Sequence, residues 1–140
     1  MAFQVITTDY QTHQHDIQFV RQQVFIIEQH IDPTLEWDAD DHSALFALAQ
    51  DQHKKPIGTA RLLASGKIGR MAVLAAWRHQ GVGSAMLNIL IDEAKQRAWP
   101  QIQLSAQVAA IGFYQRHQFR VQGDIYLEAD IPHQRMLRQL

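Results

Sequence analysis

Two glycines stand one residue apart in the stretch Arg78-His79-Gln80-Gly81-Val82-Gly83-Ser84, with a long apolar-striped segment after them. A backbone without side chains at two near positions lets a ligand come close. Where such a stretch opens a helix, the first N–H groups lack an acceptor within the helix, and the helix dipole adds partial positive charge. The chemistry this permits is anion binding, above all of a diphosphate. Arg78 and His79 can add charge and donors at its rim. A dinucleotide fingerprint would need a third glycine where Met86 stands, and a Walker loop would need a lysine where Ser84 follows Gly83. Neither pattern is met. The spacing alone equally suits a tight strand-to-helix turn whose glycines serve packing.

The charges around this stretch are segregated. Between Arg21 and Lys54 there is no Lys or Arg, while Glu28, Asp32, Glu36, Asp38, Asp40, Asp41 and Asp51 all fall there. From Gln52 to Ile91 the sign reverses: Lys54, Lys55, Arg61, Lys67, Arg70 and Arg78 occur without an acid. Two solvated faces would explain this. So would a site for a cationic group beside a site for an anionic one. Overall, 13 basic against 14 acidic residues leave no footprint for nucleic acid or another polyanion. The chain has no cysteine, which excludes disulfides, thiolate nucleophiles and thiolate-held zinc. No metal site is expected, since His13 and His15 lie two apart and no His-Glu-x-x-His occurs. No apolar run nears the ~20 residues of a membrane span, and the N-terminus lacks a signal-peptide pattern, so a cytoplasmic protein is expected.

The elements that must position these residues follow from periodicity. The length of 140 residues predicts one domain over 1–140. Residues 2–7 read as a strand. Ile17, Val20, Val24 and Ile27 form one face of a helix from about Asp16 to Gln29, and Pro33 stops any continuation. Residues 44–50 read as a strand covered on both faces. Strands 56–65 and 67–74 follow after turns too short for crossovers, so the three form an antiparallel meander. A helix spans about 81–98, with Val82, Met86, Ile89 and Leu90 on its apolar stripe. A strand at 101–106 completes a right-handed βαβ unit with parallel strands. A shorter helix from about Val108 to His117 follows. A strand at 119–128, with Phe119, Val121, Ile125 and Leu127 on one side, and a last strand near 133–139 end the chain. The predicted order is β-α-β-β-β-α-β-α-β-β, an α/β fold with a mixed, mainly antiparallel sheet.

Arg78-x-x-Gly81-x-Gly83 has the spacing of the Arg/Gln-x-x-Gly-x-Gly/Ala signature of the GNAT superfamily of N-acetyltransferases, which it resembles. The strand Ile-Gly-Arg-Met-Ala-Val-Leu before it resembles that family's fourth strand. Ala110, Tyr114, Arg116 and Phe119 resemble the family's Asn-x-x-Ala-x-x-x-Tyr-x-Lys/Arg-x-Gly-Phe pattern, with Gln107 in place of Asn and Gln118 in place of Gly. VFIIEQ, LEWDADD, IGTARL, GRMAV, FY and IPH further resemble the small bacterial ElaA-like branch.

The resemblance implies a splayed central parallel strand pair and acetyl-CoA as cosubstrate. It implies that the amides of Gln80, Gly81, Val82, Gly83 and Ser84 hold the pyrophosphate, with Arg78 and His79 at the rim. The pantetheine arm would lie against Met71, Ala72 and Val73, with Gln107 and Arg116 in reach of the cofactor, and Tyr114 would protonate the departing thiolate. For the base that must deprotonate an amine of pKa ~10, Glu28 and His133 are the candidates, since one lies near the end of the first helix and the other is of the residue type most often used as a general base. Glu36, Asp38, Asp41 and Glu128 are the acids expected to attract a cationic acceptor, a small-molecule or peptide amine. By family analogy a homodimer through the C-terminal strands is expected. A non-catalytic acyl-CoA-binding module, with the cradle but without acid–base geometry, is the alternative.

Overall fold

The computed structural model describes residues 2–140. Seven strands form one sheet: β1 (Phe3–Thr8), β2 (Leu45–Asp51), β3 (Pro56–Leu62), β4 (Lys67–Val73), β5 (Gln101–Gln107), β6 (Arg120–Glu128) and β7 (Ile131–Gln139). Their order across the sheet is β1-β2-β3-β4-β5-β7-β6. All neighbours are antiparallel except β4 and β5, which are parallel. This is the predicted meander and βαβ unit. The helices are α1 (Gln14–Arg21), the single turn α2 (Pro33–Glu36), α3 (Val82–Gln96) and α4 (Ile111–Arg116).

The sheet is covered on both sides, as the apolar run in β2 requires. Val82, Met86, Leu87, Leu90 and Ala94 of α3 pack with Ala47, Ala49, Ala60, Ile68 and Leu104 from the strands. On the other side Ile17 packs with Tyr10 and Phe46, while Val20, Val24 and Phe25 pack with Ala72. Each fully buried Leu, Ile or Phe contributes about 1.5–3 kcal/mol by leaving water.

Two expectations need correction. The helix after Arg21 does not continue as α-helix. Residues Gln22–Glu28 form a π-helix, and Gln29 N–H donates to the carbonyl of Val24, five residues back, at 3.0 Å. The wider turn rotates later side chains off the α-helical stripe. Phe25 therefore enters the core, and Ile27 is 52 % exposed. The clean alternation expected from Phe119 to Leu127 also fails. Only Phe119 is buried; Val121, Ile125 and Leu127 are exposed, because β6 is the sheet's edge and its register with β7 shifts between Gln122 and Tyr126.

Gln118 stands where the family pattern has glycine, and its φ is +69°, in the left-handed region. A residue with a Cβ pays roughly 1–2 kcal/mol there, partly offset by the greater entropy that glycine loses on folding. Gln118→Gly is expected to raise stability by about 0.5–1 kcal/mol, read as a higher urea midpoint at unchanged slope.

Candidate active site

β4 accompanies β5 for two residue pairs only, Lys67 with Gln103 and Ile68 with Leu104, and then departs from it. A bulge in β4 marks the departure: Gly69 and Ala72 pair with Arg61 and Thr59, so β4 carries one residue more than β3 over this interval. Arg70, inside the bulge, takes a φ of +48°. The extra residue inverts the strand's alternation. Ile68 packs on the α3 side and Ala72, four residues on, packs under α1 and the π-helix, while Met71 and Val73 return to the α3 side. Beside the opening lies a cavity of about 540 Å³, lined by Met71, Tyr114, Gln107 and His133, and walled by the 25–40 segment.

α3 begins beside this opening. Gly81, its N-cap, has a φ of +86°, and a Cβ there would meet nothing within 4 Å. Its glycine thus serves the backbone conformation and leaves open space in front of the helix. Ala85 is the first amide with a helical acceptor, the Gly81 carbonyl at 3.0 Å, so the amides of Val82, Gly83 and Ser84 remain without one. Gly83 serves differently, since its added Cβ would touch the Phe113 ring at 3.4 Å. It lets α4 approach α3. Ser84 Oγ lies 3.0 Å from His117 Nε2.

Tyr114, on α4, turns its hydroxyl toward the Met71 sulfur at 3.7 Å. A thioether is a weak acceptor. Burial pushes the phenol up to about 12, so it stays protonated at any working pH.

His133, on β7, is buried, and its Nδ1 lies 2.6 Å from the Ile131 carbonyl oxygen. Its Nε2 lies 3.4 Å from a Glu128 carboxylate oxygen.

A profile of the acetyltransferase (GNAT) domain matches residues 6–140. The chain belongs to the GNAT acetyltransferase family. YjcF of Bacillus subtilis, an uncharacterised N-acetyltransferase, is 32 % identical over 127 residues, spanning 88 % of this chain and 90 % of its own. The crystal structure of Escherichia coli ElaA superposes with a TM-score of 0.87 at 25 % identity, over 98 % of this chain and 99 % of that one. An acyl-CoA N-acyltransferase from Pseudomonas aeruginosa superposes with a TM-score of 0.84 at 27 % identity, with 98 % and 99 % coverage. The chain is an acyltransferase, and its fold implies an acyl-CoA cosubstrate. The splayed edge of β4 and the unpartnered amides of Val82, Gly83 and Ser84 fit such a group, since one can take up amides of an extended arm and the other a phosphate anion.

In this GNAT domain the acidic and basic blocks meet each other. Arg21 is fully buried; its Nε donates to Glu36 at 2.5 Å, one terminal nitrogen to Asp41 at 2.8 Å, and the other to the Glu36 carbonyl at 2.9 Å. Arg61 bonds Asp38 at 2.8 Å and Asp41 at 3.0 Å. Arg70 reaches Glu36 at 3.2 Å and Asp38 at 3.1 Å. Three guanidiniums thus face three carboxylates. Burial would lower Arg21, but its bonds to Asp41 and Glu36 hold it above the usual arginine range. Burial raises Glu36 against the pull of Arg21 and Arg70. For Asp38 burial pushes upward, yet Arg61 and Arg70 bring it below the usual range.

The expectation that Glu36, Asp38 and Asp41 await a cationic acceptor is therefore corrected: their charge is taken by arginines. Glu36 and Asp38 line the cavity and Asp41 lies beneath it, 2 % exposed. Glu128 does line the cavity, beside His133. Glu28 and Arg78 are corrected together. Arg78 forks onto both Glu28 oxygens at 2.6 Å and donates through Nε to the Val73 carbonyl at 3.0 Å. The hydrogen bond from Arg78 holds Glu28 below the carboxylate range, which makes it a poor base, and it does not line the cavity. Arg78 is engaged by a carboxylate rather than offered to an anion.

Of the other expected cofactor contacts, His79 and Gln80 are exposed in the loop before the cradle, and Arg116 is exposed at the end of α4. Gln107 lines the cavity and donates to Gln29 at 2.9 Å across it. The arginines at positions 21, 61 and 70 went unrecognised. The signal for Arg21 was present: it lies four residues after Ile17, on the buried stripe.

Arg21→Met leaves two carboxylates in the interior without their shared partner, and is expected to cost about 3–5 kcal/mol, measured by chemical denaturation. A second outcome concerns pH. Glu28 is depressed in the folded state, so its pair with Arg78 stabilises the fold above the ordinary carboxylate pKa, and this is lost as pH falls through the lower folded value. Denaturation midpoints followed from pH 6 to pH 3 should fall more steeply for the wild type than for Glu28→Gln.

Proposed function

We propose that the protein is an N-acetyltransferase that moves an acetyl group from acetyl-CoA to a primary amine of a small molecule or peptide, by direct attack of the amine on the thioester. The observation that carries this reading is the opening of β4 from β5 directly before the unpartnered amides of α3, with a protonated tyrosine on its wall. When bound, acetyl-CoA supplies an activated carbonyl and a thiolate leaving group.

The chain's own residues have three tasks. The amides of Val82, Gly83 and Ser84, at the positive end of the α3 dipole, would hold the pyrophosphate. The edge of β4 along Met71, Ala72 and Val73, which β5 leaves unpaired, would take the pantetheine amides as a strand takes a neighbour. Tyr114 would give its proton to the departing sulfur, whose thiol has a pKa near ~8.5 if it behaves like cysteine. The hydroxyl is suited to this because its present partner, the Met71 sulfur, holds it weakly. For the amine's proton, His133 is the candidate base that lines the cavity.

Calorimetric titration tests the cofactor. Acetyl-CoA should bind, and ATP and NAD at equal concentration should not; binding of ATP or NAD in preference would refute the reading. Tyr114→Phe should lower kcat by roughly 10²-fold, the lower range for a general acid, while the Kd for acetyl-CoA changes little. An unchanged kcat would remove Tyr114 from the chemistry.

A further inference from the structure

We propose that the hairpin joining β6 to β7 is a proton-accepting device: the Ile131 carbonyl and the Glu128 carboxylate hold the His133 ring so that its Nε2 takes a proton from the acceptor amine. This rests on the acetyl-transfer reading above and assigns Glu128 a positioning role rather than contact with the acceptor.

The argument starts from the turn. Glu128 pairs with Ile131, so the loop is the two residues Ala129 and Asp130, with φ of +51° and +62°. Positive φ at both places is the type I′ turn that suits hairpin twist, and it usually recruits Asn or Gly. Here an alanine and an aspartate are held there, which strains the backbone. Such strain persists where the surroundings fix it, and the surroundings here are the cavity wall, which Glu128, Ala129 and His133 line together.

The second step is the tautomer. A carbonyl oxygen can only accept, so a contact of 2.6 Å between Nδ1 and the Ile131 oxygen requires the proton on Nδ1. In the neutral ring Nε2 then carries the lone pair. The Glu128 oxygen 3.4 Å away is too far for a good hydrogen bond, yet it is the carboxylate set against the Nε2 side of the ring. The Tyr126 ring stacks on the imidazole at 6.2 Å between centroids, and its hydroxyl is engaged with Ser105. Arg135, two residues on, spends its guanidinium on Gln103. The carboxylate is therefore the charge paired with the ring.

The protons balance as follows. The acceptor ammonium loses one proton to His133 Nε2, which later returns it to solvent. Its nitrogen forms the amide C–N bond as the thioester C–S bond breaks. A second proton leaves that nitrogen for the Tyr114 oxygen as the Tyr114 proton passes to the sulfur, so the hydroxyl ends as it began.

Long-range proton–nitrogen NMR of the full chain reads the tautomer directly, with His133→Gln to assign the signals. The neutral ring should carry its proton on Nδ1; a proton on Nε2 would overturn the proposal. Turnover is then followed with acetyl-CoA and a panel of glucosamine, spermidine and lysine. With the best of these, Glu128→Gln should lower kcat about tenfold or more, with the KM for acetyl-CoA unchanged and the fold intact. Acetyl-CoA binding with an unchanged kcat in Glu128→Gln overturns the positioning role alone. Failure of the wild type to bind acetyl-CoA, or to turn over any of these amines, overturns the acetyl-transfer reading and this proposal with it.

Discussion

β4 and β5 stay together for only two residue pairs, and the rest of the molecule is arranged around that separation. A sheet that opens in its middle exposes backbone that would otherwise be paired, and unpaired buried backbone is costly. The opening therefore persists only with support on both sides. α3 and the main core hold one face, through Ile68, Met71 and Val73. α1 and the π-helix hold the other, through Ala72. The amides without helical acceptors at the start of α3 and the hydroxyl of Tyr114 both lie beside this opening.

The ionic cluster around Arg21 does similar work for the loop that walls the cavity. Residues 33–43 contain one turn of α-helix and a short 3₁₀ segment, too little regular structure to hold a shape unaided. Arg21, Arg61 and Arg70 reach into them from a helix and two strands. Buried ion pairs add little net stability over apolar replacements, but breaking one is expensive. Their role here is to tie one loop to three rigid elements.

Much of this was legible in the sequence. The element order, the antiparallel meander and the parallel pair follow from apolar periodicity and from turns too short to cross over. The start of α3 at Gly81 follows from the two glycines after a strand's exit. Part of what stayed hidden shares one cause, a local departure from a regular period. The π-helix carries Ile27 out of the core and sets Glu28 against Arg78. The register shift in β6 undoes the alternation expected of Val121 and Ile125. The segregated charges were visible, but whether two blocks face a ligand or each other depends on which segments the fold brings together. Arg21 was concealed by the habit of reading a charged residue as a wet one.

The bulge at Arg70 gives β4 a reading frame. Ile68 and Ala72 are an even number of residues apart and yet face opposite layers. Loss of a single residue between Gly69 and Ala72 would restore regular pairing with β3 and leave Met71, Ala72 and Val73 on their present faces, but it would remove the bulge at which β4 parts from β5. In most strands length drifts at the ends without harm; in this one the count of residues is itself under constraint.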